Sequence, residues 1–327
     1  MLTRRSLLAA AALAGALSRF SSSARADDFP SGPIKFLVAF PPGASTDVIM
    51  RAVAAKMQPR IGKPVVVENK AGASGMLAAG DVAKADPDGL TLLAAPSSLA
   101  SNPTLFKSMP FDTLKDLQPV SLVFRTPLVL IVNANLSVKS VDELIALLKQ
   151  QPGQIYYAHG GPGSAINLAA EMFQTMTNTK MNGVSYRGTL PALNDLIGGQ
   201  VQLMFADIGG AMGQISAGQV RALSVTSSER VPVLPNVPTI AEAGVPGFDA
   251  EGWTLVCAPA ATPQPIVDKL SAEINLAAAT PDVQKLIIQL GTLPTKSPPP
   301  AELKTFLASE IDRWGKLIER SGAARSL

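Results

Sequence analysis

Short apolar, β-branched runs alternate with stretches of helical period, and this alternation organises the chain from Asp27 onward. Ile34-Lys35-Phe36-Leu37-Val38-Ala39 predicts a buried strand, and Val48 to Ala55 predicts a helix. Further strands are expected at 65–67, 91–95, 120–124, 128–132, 155–157, 183–186, 203–206, 222–225 and 253–258. Helices are expected between them. Ser140-Val141-Asp142-Glu143 is a capping box opening a helix to about residue 150, and Thr239 to Glu242 repeats the pattern over a short turn. Thr280-Pro281 predicts a cap followed by a first-turn proline, and an amphipathic helix is expected over 301–321. Alternating βα units imply an α/β fold of doubly wound, mostly parallel sheets, with ligands bound beyond the carboxyl ends of the strands.

Two of the strand–helix junctions share one chemistry. The first is Phe40-Pro41-Pro42-Gly43-Ala44-Ser45-Thr46-Asp47, and the second is Ala158-His159-Gly160-Gly161-Pro162-Gly163-Ser164. Each sets a tight glycine loop before a helix, where the first backbone N–H groups lack intrahelical acceptors and the helix dipole favours an anion. Ser45 and Thr46 add hydroxyl donors, and Ser164 is the expected cap of its helix. The alternative for the first loop is an ordinary βα turn capped by Ser45 or Thr46. Asp47 is read as neutralising the helix start, or as accepting from an amine or hydroxyl on a ligand. Lying in different halves, the loops point to two lobes facing one cleft.

Composition sharpens this picture. A chain of 327 residues, 47% hydrophobic, suggests about two domains with a sizeable core. Residues 1–26 read as an export signal: Arg4-Arg5, an apolar run of 11 residues from Leu7 to Leu17, and Ala24-Arg25-Ala26 as the cleavage site. That run is too short to span a bilayer. The arginine pair fits a twin-arginine or a general secretory signal equally. Four of the 28 basic residues lie in that segment, leaving 24 against 25 acidic ones, a net charge of −1. No basic patch for nucleic acid remains. Cys257 is the only cysteine and reads as a buried hydrophobe.

The catalytic inventory is short. His159 is the only histidine, so no HExxH or histidine-rich metal site can form, and one cysteine excludes thiolate zinc sites. No G-x-S-x-G elbow and no G-x-x-x-x-G-K-[ST] loop occur. These exclusions predict no catalytic residues, no metal and no cofactor. An exported enzyme working through carboxylates, such as an isomerase or hydrolase, is the alternative.

Motifs at consistent spacing carry a resemblance across residues 30–322. They include the first loop, Val67-Glu68-Asn69-Lys70-Ala71-Gly72-Ala73-Ser74-Gly75, Pro87-Asp88-Gly89, Tyr186-Arg187-Gly188-Thr189, Asp195 to Val201, and Pro235-Asn236-Val237-Pro238-Thr239. The chain resembles the Bug-type solute-binding proteins, extracytoplasmic receptors of tripartite tricarboxylate transporters. The resemblance implies a two-lobe periplasmic-binding-protein type II fold with crossing strands as hinge: lobe 1 from 27–126 and 249–327, lobe 2 from 127–248. It implies a periplasmic monomer that binds a small carboxylic acid and hands it to the transporter's membrane subunits. The ligand contacts it implies are Phe40, Pro42, Gly43, Ala44, Ser45, Thr46 and Asp47 in one loop, and Ala158, His159, Gly160, Gly161, Gly163 and Ser164 in the other. Ser97, Ser98 and Asp207 follow further strands and join the set. His159 stands where such proteins carry a small hydroxyl residue, and Asn167-Leu168 where they often carry His-Leu.

Overall fold

The computed structural model describes residues 29–327, so the expected export signal lies outside the described residues. Two sheets organise the rest. The first has six strands in the order β11-β4-β10-β3-β1-β2, and the second has five in the order β7-β6-β8-β5-β9. In the first lie β1 (Ile34–Val38), β2 (Val65–Asn69), β3 (Thr91–Pro96), β4 (Leu117–Thr126), β10 (Gly252–Pro259) and β11 (Leu293–Pro294). In the second lie β5 (Leu128–Asn133), β6 (Tyr156–His159), β7 (Asn182–Ser185), β8 (Leu203–Asp207) and β9 (Val220–Val225).

Period-two alternation places helices on both faces of each sheet. Ile34, Phe36 and Val38 pack on one side against Ile49, Met50 and Val53 of α1 (Ser45–Ile61). Leu37 on the other side belongs to a cluster with Ala78 and Val82 of α2 (Met76–Ala83). The same cluster continues into Leu130 of β5 and Phe173, so apolar packing runs through both lobes.

The sheets differ from the mostly parallel expectation. β2-β1-β3 and β7-β6-β8 are parallel, but β10 runs antiparallel to β3 and β4, and β5 antiparallel to β8 and β9. The physical reason is connectivity. β4 and β5 are separated only by Pro127, so the chain passes from one sheet to the other without a crossover helix. It returns between β9 and β10, and strands that arrive from the other lobe enter against the parallel set. At this double crossing Thr226 Oγ1 accepts from the Leu128 N–H at 2.8 Å, and the Ala250 N–H donates to the Thr226 carbonyl at 3.0 Å.

Local caps explain several helix starts. The Ser140 hydroxyl accepts from the Glu143 N–H at 3.2 Å, opening α5 (Val141–Gln150) after α3 (Ser98–Leu105) and α4 (Thr113–Asp116). Thr239 and Glu242 exchange both capping-box bonds, at 3.0 and 2.8 Å, around a turn and not a helix. Thr280 precedes a first-turn proline as expected, but its hydroxyl turns back to the Ala277 carbonyl and caps nothing ahead.

Candidate functional site

Both predicted loops fall at equivalent places, after the central strand of a parallel set. β1 leads to Gly43 and α1, and β6 leads to Gly163 and α6 (Ala165–Thr177). The two glycines have φ of 84° and 73°, a left-handed region closed to most side chains without strain. The caps that follow are Ala44 at φ −64°, ψ 153° and Ser164 at φ −63°, ψ 152°. Neither Ser45 nor Thr46 caps α1; the cap position is Ala44, which has no hydroxyl to offer.

Each loop is braced from inside its own helix. The Gly43 N–H donates to Asp47 Oδ2 at 2.9 Å, and the Gly163 N–H donates to Asn167 Oδ1 at 2.9 Å. Asp47 also accepts from Arg51 Nε at 2.9 Å and Asn69 Nδ2 at 2.8 Å. Burial raises the Asp47 pKa, but these three donors outweigh it and hold the carboxyl below the usual range. Only 4% exposed, Asp47 is a structural brace with no free face for a ligand. Asn167 instead donates to the Tyr157 hydroxyl at 2.9 Å, which donates to Glu171 Oε1 at 3.1 Å. Burial drives the Tyr157 pKa well above its ordinary value, so the phenol keeps its proton.

What remains open at each helix start are the first N–H groups. Val48 is the first residue of α1 whose N–H finds a helical acceptor, the Ala44 carbonyl; in α6 it is Leu168, bonded to Ser164. Among the described residues, the N–H groups of Ser45 and Thr46, and of Ala165 and Ile166, have no acceptor. The Ser164 hydroxyl takes the Asn167 N–H at 3.2 Å and donates to the Gly161 carbonyl at 2.8 Å.

These two helix starts face one cavity of about 480 Å³. Phe40, Gly43, Ala44, Ser45, Thr46, Ser97, Ser164 and Asp207 line it, bringing both loops and two further strand ends together as the sequence predicts. Ser98 and Gly163 line an adjoining chamber that shares Phe40, Ser97 and Ser164. Thr126, Ile166, Gly210, Gly252, Trp253 and Thr254 also line the main cavity and were not anticipated. Ile166 comes from the first turn of α6, and the others from the crossing strands and from α8 (Ile208–Ser216), where no sequence motif marks them. Asp207 stays accessible from the cleft, yet the surrounding protein crowds it and raises its pKa, partly offset by its own backbone N–H.

Several predicted residues lie off the cavity walls. Pro42 is exposed on the outer side of its loop, and Ala158 is buried inside β6. Gly160 and Gly161 line neither chamber. His159 is only 8% exposed and packs on Tyr157 with ring centroids 5.4 Å apart. Its Nδ1 accepts from the Gly161 N–H at 3.0 Å, so the ring fixes the loop from behind. Burial lowers its pKa against the opposing pull of Glu171, and an Nδ1 that accepts an N–H cannot also carry a proton, so the neutral form is favoured. Tyr186 donates to Asp195 Oδ2 at 2.8 Å, and burial first, then that bond, pushes its pKa to about 12. It pins α7 (Thr189–Ile197) and does not reach the cavity.

The model of the tripartite tricarboxylate transporter family receptor matches residues 49–323. Protein BugT of Bordetella pertussis is 39% identical over 319 residues, covering 97% of this chain and 98% of its own. Among solved structures, R. palustris Rpa4515 with adipate superposes with a TM-score of 0.78 at 33% identity, covering 91% of this chain and 99% of that one. MatC of Rhodopseudomonas palustris, with bound malate, gives 0.72 at 34% identity, covering 89% and 100%. With a receptor model spanning most of its length and a two-lobe cleft built on paired helix starts, this chain belongs to the Bug-type receptors of the tripartite tricarboxylate transporter family.

Proposed function

We propose that this protein captures a small carboxylic acid between its lobes and delivers it to the membrane subunits of a tripartite tricarboxylate-type transporter. One observation carries the reading: unpaired N–H groups at two helix starts, one from each lobe, converge on one cavity. Two such ends supply dipole and donors together, which recognise a carboxylate by charge-assisted hydrogen bonds. Relatives that hold adipate and malate support the ligand class.

In this reading Ser45, Thr46, Ala165 and Ile166 donate through their backbones, and Phe40, Gly43, Ala44, Ser97, Ser98, Gly163, Ser164 and Asp207 shape the cleft. Lobe 1 comprises 27–126 and 249–327, and lobe 2 comprises 127–248. The protein works as a periplasmic monomer after cleavage behind Ala26, and no turnover is part of its role. Contacts to both lobes favour the closed form, since only a ligand with different affinity for two states shifts their balance.

Calorimetry with hexanoate and hexanamide on the mature protein tests this. The acid should bind at least tenfold tighter than the amide, since hydrogen bonds to a charged group contribute about 1.5–3 kcal/mol. Equal affinities would remove the carboxylate reading. Recovery of the acid chemically changed, in place of unaltered, would favour the exported-enzyme alternative.

A further inference from the structure

The chamber beside the main cavity has a chemistry that the paired helix starts do not use. It encloses about 220 Å³, and beyond the shared wall it reaches Ser74, Ser98, Ser101 and Glu251. One wall is held under strain. Residues Gly72, Ala73, Ser74 and Gly75 all have positive φ, at 134°, 47°, 53° and 87°, and two of them are not glycine. The Ser74 carbonyl is fixed there by Ser98 Oγ at 2.7 Å and Asn102 Nδ2 at 3.1 Å.

Glu251 forms another wall, at the start of the returning hinge strand. The residue is 6% exposed. Its Oε1 accepts from Arg125 Nη1 at 3.2 Å and from the Ser228 N–H at 3.3 Å. Its Oε2 is buried and has no partner among the described residues. An unpaired buried carboxylate oxygen is costly, and a ligand group that donates to it would remove that cost.

The charges around the cleft agree. Glu251 is the charged side chain on the wall of this chamber, Asp207 lines the main cavity instead, and no lysine or arginine lines either. Arg125 is shared between Glu251 and Glu229. Asp249, Glu310 and Arg313 stand close by, which makes four acids against two arginines in this cluster. Burial, opposed by Arg125 and reinforced by Asp249, pushes the Glu251 pKa up to about 7. One end of the cleft therefore favours an anion, and the other opposes a second one.

We propose that Glu251 recognises the far end of the ligand, so that the preferred ligand is a carboxylate carrying a hydroxyl or ammonium donor opposite its acid group and no second carboxylate. The proposal rests on the carboxylate reading above, and Glu251 sets specificity while the loops hold the anion.

The test is calorimetry at about pH 8, where an ordinary amine is protonated and carboxylates are ionised. The probes are straight-chain acids from butanoate to hexanoate, each ending in methyl, hydroxyl, ammonium or carboxylate. At the best-fitting length, the hydroxyl- or ammonium-ended acid should bind at least tenfold tighter than the dicarboxylate. Glu251→Gln should erase most of that preference while leaving affinity for the methyl-ended acid within about threefold. Circular dichroism on the variant checks that it folds, and the wild-type order of affinities decides the matter even if it does not. A dicarboxylate that binds wild type as tightly as the donor-ended acids overturns the proposal, as does a preference unchanged in Glu251→Gln. Those outcomes leave the carboxylate reading standing. That reading fails separately, if the primary amides of the same probes bind as well as the acids.

Discussion

The two loop–helix units are nearly the same backbone held by different side chains. Aligned on Pro42-Gly43 and Pro162-Gly163, both have a left-handed glycine, an extended cap residue and a fifth residue that takes the glycine N–H. In the first unit that acceptor is a carboxylate, neutralised four residues on by Arg51 and tied to β2 through Asn69. In the second it is an amide, joined through Tyr157 to Glu171, again four residues on. Presenting free N–H groups to the cleft demands a particular backbone, while the brace behind it has only to satisfy buried polar atoms.

The surroundings of the two glycines separate the units most sharply. A Cβ on Gly43 would meet nothing within 4 Å, whereas one on Gly163 would lie 2.3 Å from Leu105 Cδ2, a side chain of the opposite lobe. Gly43→Ala should therefore cost only the left-handed backbone strain, about 1–2 kcal/mol. Gly163→Ala adds overpacking of about 1–3 kcal/mol and wedges the lobes apart. Thermal melting should rank the second variant clearly below the first, and small-angle scattering should show Gly163→Ala alone resisting compaction by ligand. Equal melting points would mean that the lobes do not meet at Leu105.

Exchanging the braces is the next largest effect. Asn167→Asp places a carboxylate within a buried site already holding Tyr157 and Glu171, with no cation to pair it. Asp47→Asn keeps one oxygen for the Gly43 N–H but turns an amide NH2 toward Arg51 and Asn69, which both lose their Oδ1 acceptor; the ion pair lost with it is to a half-exposed Arg51. Urea denaturation should show a loss of about 3 kcal/mol for the first, an unpaired buried charge, and about 2 kcal/mol for the second, two donors left without their acceptor. If Asp47→Asn is the more damaging, the first brace depends on its ion pair more than its exposure allows.

Much of this was legible in the sequence. Runs such as Ile34 to Ala39 and Leu203 to Ala206 fixed the strands, because period and β-branching report burial directly. The two glycine loops stood out because helix starts after strands need small, turn-forming residues. The repeat Pro-Gly-x-x-x-Asp/Asn, at 42–47 and 162–167, was also present, and it foretells that Asp47 braces its own loop. Other features had no local signature. The antiparallel entry of β5 and β10 depends on which lobe the chain comes from. Glu251 looks like any acid before a strand, and only folding places its Oε2 in a buried, unpaired position. His159 was misleading for the opposite reason: its place in the second loop implied a ligand contact, but its rotamer carries the ring behind the loop, onto Tyr157.

His159 and Asp47 yield the smallest and most discriminating test, because both support a loop from behind yet respond oppositely to their surroundings. Burial lowers the His159 pKa below its ordinary 6.5, so below that pH the unfolded chain takes up a proton more readily than the folded one. Stability from this group is complete above about 6.5 and declines as pH falls toward the folded value. Asp47 also has a lowered pKa, so its contribution is complete above about 3.8 and is lost only as pH falls below that. Between pH 7 and pH 5 wild type should lose up to about 1 kcal/mol that His159→Gln retains, while Asp47→Asn follows wild type through that window. Ligand affinity, once corrected for folding, should show the same pH dependence in wild type and His159→Gln, because the ring does not line the cleft. A binding curve that steepens below pH 6.5 in wild type alone would put the imidazole in contact with the ligand after all, and make the second brace part of the site it supports.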